Sequence, residues 1–189
     1  MILTDNIRAE EALEKLKQGN ARYLESDIST GDISRALRLA TSRHGQSPYA
    51  IIVSCSDSRV IPESIFSAGI GDLFVVRVAG NVIDNHQIGS IEYAAEHLGS
   101  RLVVVLGHTG CGAVNAALHS DPSGFIAFIT DEIKQAIGEE RDPYRASCLN
   151  VERSVSLIRQ AFGLAGDLED GLQVIGAMYH LDSGMVEFL

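Results

Sequence analysis

The sequence predicts an α/β fold: a central, mostly parallel β-sheet with an antiparallel edge strand, flanked by helices and preceded by an N-terminal helical arm. Two observations carry this. Short apolar runs rich in Val, Ile and Leu recur at Tyr49 to Val53, Leu73 to Val78, Leu102 to Leu106 and Leu172 to Met178, and their length and continuity are those of strands covered on both faces. Between them lie stretches of helical spacing, and strands alternating with helices point to parallel βαβ units. With 189 residues, 46% of them hydrophobic and 21% charged, the chain has enough apolar surface for one compact domain and too little length for two.

Taken in order, Thr4-Asp5-Asn6 offers side-chain caps to an arm in which Ala12, Leu13, Leu16, Ala21, Tyr23 and Leu24 recur among Glu and Lys. Ser26 to Gln46 is a polar connector with a brief helix marked by Ile33, Leu37, Leu39 and Ala40. An arm separated from the sheet in this way cannot bury its stripe alone, so residues 1–45 are expected to pack on a partner subunit. Helices are predicted at Pro62 to Ala68, at Gly89 to Leu98 with Ile91, Tyr93, Ala94, Ala95 and Leu98 inward, at Gly112 to His119 and at Phe125 to Ile137. The segment Ser120 to Ala165 is the least diagnostic, although the surroundings of Cys148 read as helical. Asp182-Ser183-Gly184 supplies turn chemistry between Leu172 to Met178 and Met185 to Leu189, predicting a closing antiparallel pair.

Charge and cysteine usage narrow the functional classes. Fifteen Lys and Arg against 25 Asp and Glu give a formal charge of −10, which repels phosphate backbones, and the basic residues are scattered; nucleic acid is excluded as a natural partner. The longest apolar runs fall far short of the ~20 residues that cross a bilayer, and the opening residues lack the basic start and apolar run of an export signal, so a cytoplasmic, membrane-free protein is expected. Three cysteines are an odd number, which argues against a disulfide framework and for thiols used in reactivity or metal binding. Cys148 reads as a small buried hydrophobe.

Cys55 stands at the end of the first predicted strand, in Ser54-Cys55-Ser56-Asp57-Ser58-Arg59, and His108-Thr109-Gly110-Cys111-Gly112 stands at the end of the third. In an open α/β sheet the carboxyl ends of strands border the ligand crevice, so the two segments converge there. Either alone is as well explained by packing and capping; together they point to metal. Two thiolates and an imidazole are the donors zinc prefers, and three protein ligands leave a fourth tetrahedral position open, the mark of a catalytic site. Asp57 either takes that position, closing the site, or is held off by the Arg59 guanidinium. A surface Asp–Arg bridge of little energetic weight is the plain alternative. Gly107 to Gly112 also resembles a phosphate loop, but its glycine spacing does not match the dinucleotide fingerprint.

C-S-D-S-R-V at Cys55 to Val60, with H-T-G-C-G-A-V at His108 to Val114, resembles the double signature of the β-carbonic anhydrases. The likeness extends to Ala9 to Leu16, Gly19 to Tyr23, Gly71 to Asn81, Gly89 to Ala94 and Gly184 to Leu189. The resemblance implies one Zn2+ per chain on Cys55, His108 and Cys111, with Asp57 and Arg59 as the catalytic dyad beside it. It implies that Gln46 reaches substrate from across a dimer interface, that Phe74 and Tyr93 line an apolar pocket, and that the Gly112 amide binds substrate. The implied activity is reversible hydration of carbon dioxide to bicarbonate in a homodimer or a higher assembly such as a tetramer. A carbonyl sulfide or carbon disulfide hydrolase on the same scaffold, and a non-catalytic zinc protein closed by Asp57, are the competing readings.

Some members of that family have a bicarbonate-controlled form. Here Ile52 replaces the Trp that helps form its effector site, Ser54 replaces a glycine, and Arg77 matches the effector arginine; Ala79 stands where some members carry a larger pocket residue. The expectation is a site open at neutral to alkaline pH. No proton shuttle is identifiable, His86, His97 and His119 being candidates by residue type only.

Overall fold

The computed structural model describes residues 6–26, 31–165 and 171–189. Its sheet has the order β2-β1-β3-β4-β5, with β1 (Ala50–Ser54), β2 (Leu73–Arg77), β3 (Leu102–His108) and β4 (Gln173–Tyr179) parallel and β5 (Val186–Phe188) antiparallel to β4. The predicted class and closing hairpin are both present. β1 and β3 are buried along their whole length, as continuous apolar runs require, whereas β2 is only half-buried because it forms an edge of the sheet within one chain.

The pleat divides each strand between two cores. Ala50, Ile52, Val104 and Leu106 face a layer made by α1 (Ala9–Glu25) and α3 (Pro62–Ile65), while Ile51, Val53, Val103 and Val105 face α4 (Asn85–His97) and α7 (Pro143–Ala165). Each fully buried Val or Ile contributes about 1.5–3 kcal/mol, so a one-residue slip of β1 against β3 would exchange both faces at large cost. A third cluster lies under α5 (Gly112–His119) and α6 (Phe125–Ile137), where Cys55, Cys111, Val114, Ile133 and Ala146 pack together.

Several predicted elements shift for identifiable reasons. α4 starts at Asn85 because Asp84 and Gln87 form a reciprocal capping box. Tyr93 is not inward as expected: it stands two residues from the buried Ile91, hence on the other side of the helix, and is 47% exposed. Thr4 and Asp5 lie outside the described residues, and Asn6, rather than capping α1, donates to Pro48 O at 2.6 Å.

α1 buries part of its stripe on its own chain. Ala9, Ala12 and Leu16 enter the core, and Asn20 donates to Ile65 O and Gly184 O and accepts from Val186 N, at 3.2, 2.9 and 3.0 Å. The N-terminal half of the stripe is thus covered within the chain, while Ala21 and Leu24 stay exposed. α2 (Arg35–His44), capped by Ser34, is the element with no buried residue, and Ile33 before it is 74% exposed.

The seating of α1 depends on Gly19, where an added Cβ would lie 2.0 Å from the Phe66 carbonyl oxygen. The obstacle is backbone and cannot swing aside, so Gly19→Ala is expected to lose about 2–3 kcal/mol by overpacking despite its better helix propensity. Urea denaturation reads this directly, and an unchanged midpoint would mean that α1 docks elsewhere.

Candidate metal centre

The two neighbouring strands β1 and β3 end side by side and deliver the predicted ligands to one place. Cys55 follows the last residue of β1, His108 is the last residue of β3, and Cys111 caps the start of α5 after a turn in which Gly110 takes φ 65°. Their ligand atoms all lie within 4.8 Å of one another, and the residues are 5%, 1% and 4% exposed. The turn is braced from β4: Thr109 N donates to Tyr179 O, and Thr109 Oγ1 accepts from Leu181 N, both at 3.0 Å.

The donor set fits a soft or borderline divalent cation. His108 Nδ1 lies 3.0 Å from the Thr109 carbonyl, which fixes the proton on that nitrogen and leaves Nε2 as a lone-pair donor. Nε2 is buried and has no hydrogen-bond partner among the described residues. A buried imidazole nitrogen left bare costs free energy unless something else takes its lone pair.

The sulfurs are surrounded by amide donors. Cys55 Sγ accepts from Gly80 N at 3.3 Å and Asp57 N at 3.4 Å, and the amides of Ala113 and Val114 face Cys111. The Cys55 thiol is pulled down to about 4, first by the Cys111 thiol bonded to it, then by His108 and these amides. Cys111 is pushed up by the same bond, by burial and by the charge on Cys55. A cation held by both sulfurs would displace the proton they share.

Asp57 and Arg59 form a bidentate pair beside this cluster. Arg59 Nε donates to Asp57 Oδ1 at 3.0 Å, one of its terminal nitrogens donates to Oδ2 at 2.7 Å, and its backbone amide also reaches Oδ1. Arg59 holds the Asp57 carboxyl well below the usual carboxylate range through its side-chain and backbone hydrogen bonds. Oδ2 nevertheless lies 4.0 Å from His108 Nε2, so the carboxylate sits at the edge of the space the ligands face.

The softer expectations fare unevenly. Gly112 is exposed at the first position of α5, next to the ligand Cys111. Phe74 and Tyr93 touch, their centroids 6.2 Å apart, but Phe74 packs with the α4–α7 core rather than with the ligand cluster, and Tyr93 stacks edgewise on His97 at 5.2 Å. Gln46 is exposed four residues before β1, about 17 Å of strand away from Cys55. Within one chain Gln46 is therefore at the opposite end of β1 from the ligands. His86, His97 and His119 are all exposed.

Two contributors play a part the sequence did not point to, Arg77 having been noted only as the effector-arginine match. Arg77 donates to Cys55 O at 3.2 Å and to Asp57 O at 2.8 Å, tying down the loop that carries a ligand and the acidic gate. Gly80, in a turn at Ala79–Asn81, supplies the amide on Cys55. The Gly-Asn pair just after a strand was a visible turn signal for the second.

Comparisons with known proteins agree with this geometry. The family profile described as carbonic anhydrase matches residues 50–186, which include all three ligands. A carbonic anhydrase of Mycolicibacterium smegmatis is 40% identical over 93% of this chain and 91% of its own length. Carbonic anhydrase 2 of Mycobacterium tuberculosis is 35% identical over 92% and 89%. Among solved structures, the β-carbonic anhydrase CafA of Aspergillus fumigatus superposes with a TM-score of 0.75 at 31% identity, over 95% of this chain and 89% of that one. One of two tetrameric β-carbonic anhydrases of Sordaria macrospora does so at 0.70 and 28%, over 82% and 87%. Sequence, sheet order and the Cys–His–Cys cluster lead to one conclusion, that the chain belongs to the β-carbonic anhydrase family.

Proposed function

We propose that this protein is a zinc-dependent carbonic anhydrase that converts carbon dioxide and water reversibly into bicarbonate and a proton. The observation that carries the reading is the bare Nε2 of His108 between two buried cysteines, next to an Asp57 that Arg59 keeps turned away. Cys55, His108 and Cys111 hold the ion, one per chain. Bound there, zinc supplies an acidified water and a positive centre for developing negative charge. Asp57, an acceptor only, orients the attacking oxygen by taking its hydrogen bond. The Gly112 amide, at a helix N-terminus, meets the negative end of bicarbonate.

The active assembly is a homodimer or larger. The tetrameric Sordaria macrospora enzymes, the uncovered α2 and the placement of Gln46 far from its own cluster all support a partner subunit that brings Gln46 to the substrate. No described helix is long and apolar enough to cross a membrane. Three free cysteines suit a reducing compartment, and we assign the protein to the cytoplasm.

Stopped-flow hydration at pH 7–9 with zinc assayed on the same sample tests the reading. Fast hydration with one zinc per chain is expected, rising above pH 7 because two thiolates offset the charge of the ion. Zinc without hydration would transfer the case to a sulfur-substrate hydrolase or a closed metal site.

The gate gives a second expectation. A carboxyl whose value is depressed by its partner keeps that pairing at all pH above the ordinary carboxylate range and loses it only on acidification through the depressed value. At pH 8 the Asp57 carboxylate is ionised and available to Arg59, and we expect the pair to be intact and the site open. A crystal structure at that pH with an Asp57 oxygen on zinc would overturn this.

A further inference from the structure

Cys55 owes one of its two amide donors to the Ala79–Asn81 turn, which Asn81 N closes by donating to Val78 O at 3.0 Å. Gly80 takes φ 68° and Asn81 φ 45°, a region a side chain disfavours. The Asn81 side-chain nitrogen is buried without a hydrogen-bond partner among the described residues, so it does not hold that conformation. A second restraint comes from α7, 70 residues further along. Asn150 Nδ2 donates to Gly80 O at 2.7 Å, and Ser154 Oγ donates to Asn81 O at 3.1 Å. Four residues apart, they share one helix face, and they are 3% and 2% exposed.

The two peptide groups flanking Gly80 are thereby fixed in opposite senses. One presents its N–H to Cys55 Sγ; the other presents its C=O to Asn150. Gly80 has the widest backbone freedom of any residue type; the second group is held at both ends, its N–H on Val78 O and its C=O on Asn150, and the C=O anchor helps keep the first on the sulfur. The turn is also pressed from outside: a Cβ at Gly80 would meet Ile133 Cδ1 at 2.8 Å and Ala113 Cβ at 3.0 Å.

We infer that Asn150 and Ser154 are positioning residues for the metal centre, holding the Ala79–Asn81 turn so that the Gly80 amide stays on Cys55. That hydrogen bond orients the sulfur and moderates the charge it donates to a bound cation. The inference rests on the metal-binding reading above. The competing role, satisfying two buried carbonyls with no influence on the ligand, has a built-in control. Ser147, also on α7 and 4% exposed, donates to Pro143 O at 2.9 Å and makes no hydrogen bond to the turn among the described residues.

The test uses the full chain loaded with zinc or cobalt(II), comparing parent, Asn150→Ala, Ser154→Ala, Ser154→Thr and Ser147→Ala. Metal affinity is read by chelator competition, and ligand geometry by the thiolate-to-cobalt absorption band. Asn150→Ala is expected to weaken metal binding about 10–100-fold and to shift the band. Ser154→Ala acts in the same direction but less, Ser154→Thr restores the parent values, and Ser147→Ala changes thermal stability alone. Parent affinity and band in both alanine variants of the turn would overturn the inference. If Asn150→Ala does not fold, Ser154→Ala against Ser154→Thr decides. A parent that binds neither ion would instead overturn the metal reading, and this inference with it.

Discussion

Cys111→Ser is expected to leave a folded protein that has lost its metal and its hydration activity together. Serine preserves the cap position at the start of α5 and most of the volume, so packing in the cluster with Cys55, Val114 and Ile133 survives. The soft thiolate is gone, and a hydroxyl does not ionise at neutral pH to replace it. Loss of a direct ligand should exceed the 10–100-fold effect typical of outer-shell partners, taking metal content below about a tenth of the parent. Thermal unfolding separates loss of metal from loss of fold. A metal present at about 1,000 times its Kd adds about 4 kcal/mol to the parent. Chelator should therefore lower the parent midpoint and leave that of Cys111→Ser almost unmoved, the two then coinciding. A variant that kept full zinc would remove Cys111 from the ligand set.

Arg59→Leu is expected to abolish most activity while retaining the metal. Arg59 is exposed and contributes nothing to the core, yet it holds both oxygens of Asp57. Once released, Asp57 has only a short movement to make, because Oδ2 already lies 4.0 Å from the imidazole nitrogen that faces the ion. A carboxylate in the fourth position closes the site. Hydration should fall by at least about a hundredfold, comparable to removing one preorganised catalytic donor. Zinc should remain at one per chain or be released more slowly. Asp57→Ala in the same background reopens the position, so metal exchange quickens while hydration stays low for want of the acceptor. Loss of zinc in Arg59→Leu would show that the pair supports the loop rather than gates it.

The parts of this structure that could be read in advance were those written in local pattern. β1 and β3 were legible because their runs are too apolar and too short for anything but doubly covered strands, and the ligands followed because strand ends are where an open sheet binds. α5 and α6 were read with their observed bounds. α7 was not, although Val151, Val155, Ile158 and Phe162 follow a helical spacing. Its buried face also carries Ser147, Asn150 and Ser154, which disguise the stripe. Those polar residues are there because two of them bond to the turn behind Cys55, a long-range purpose that no local pattern encodes. Tyr93 was misplaced by reading an apolar residue as inward against its own helical angle, and β2 by treating every apolar run as central.

β1 and β3 are adjacent in the sheet, but β2 and α4 are threaded between them in sequence, and Cys111 follows Cys55 by 56 residues. At a synthesis rate of about 5–20 residues per second, Cys55 precedes its partner out of the ribosome by about 3–11 s. For that interval the thiol belongs to an unfinished chain in which no cation can be gripped. A free thiol is open to oxidation in that interval, so we expect the yield of metal-competent protein to fall when the chain is made under oxidising conditions.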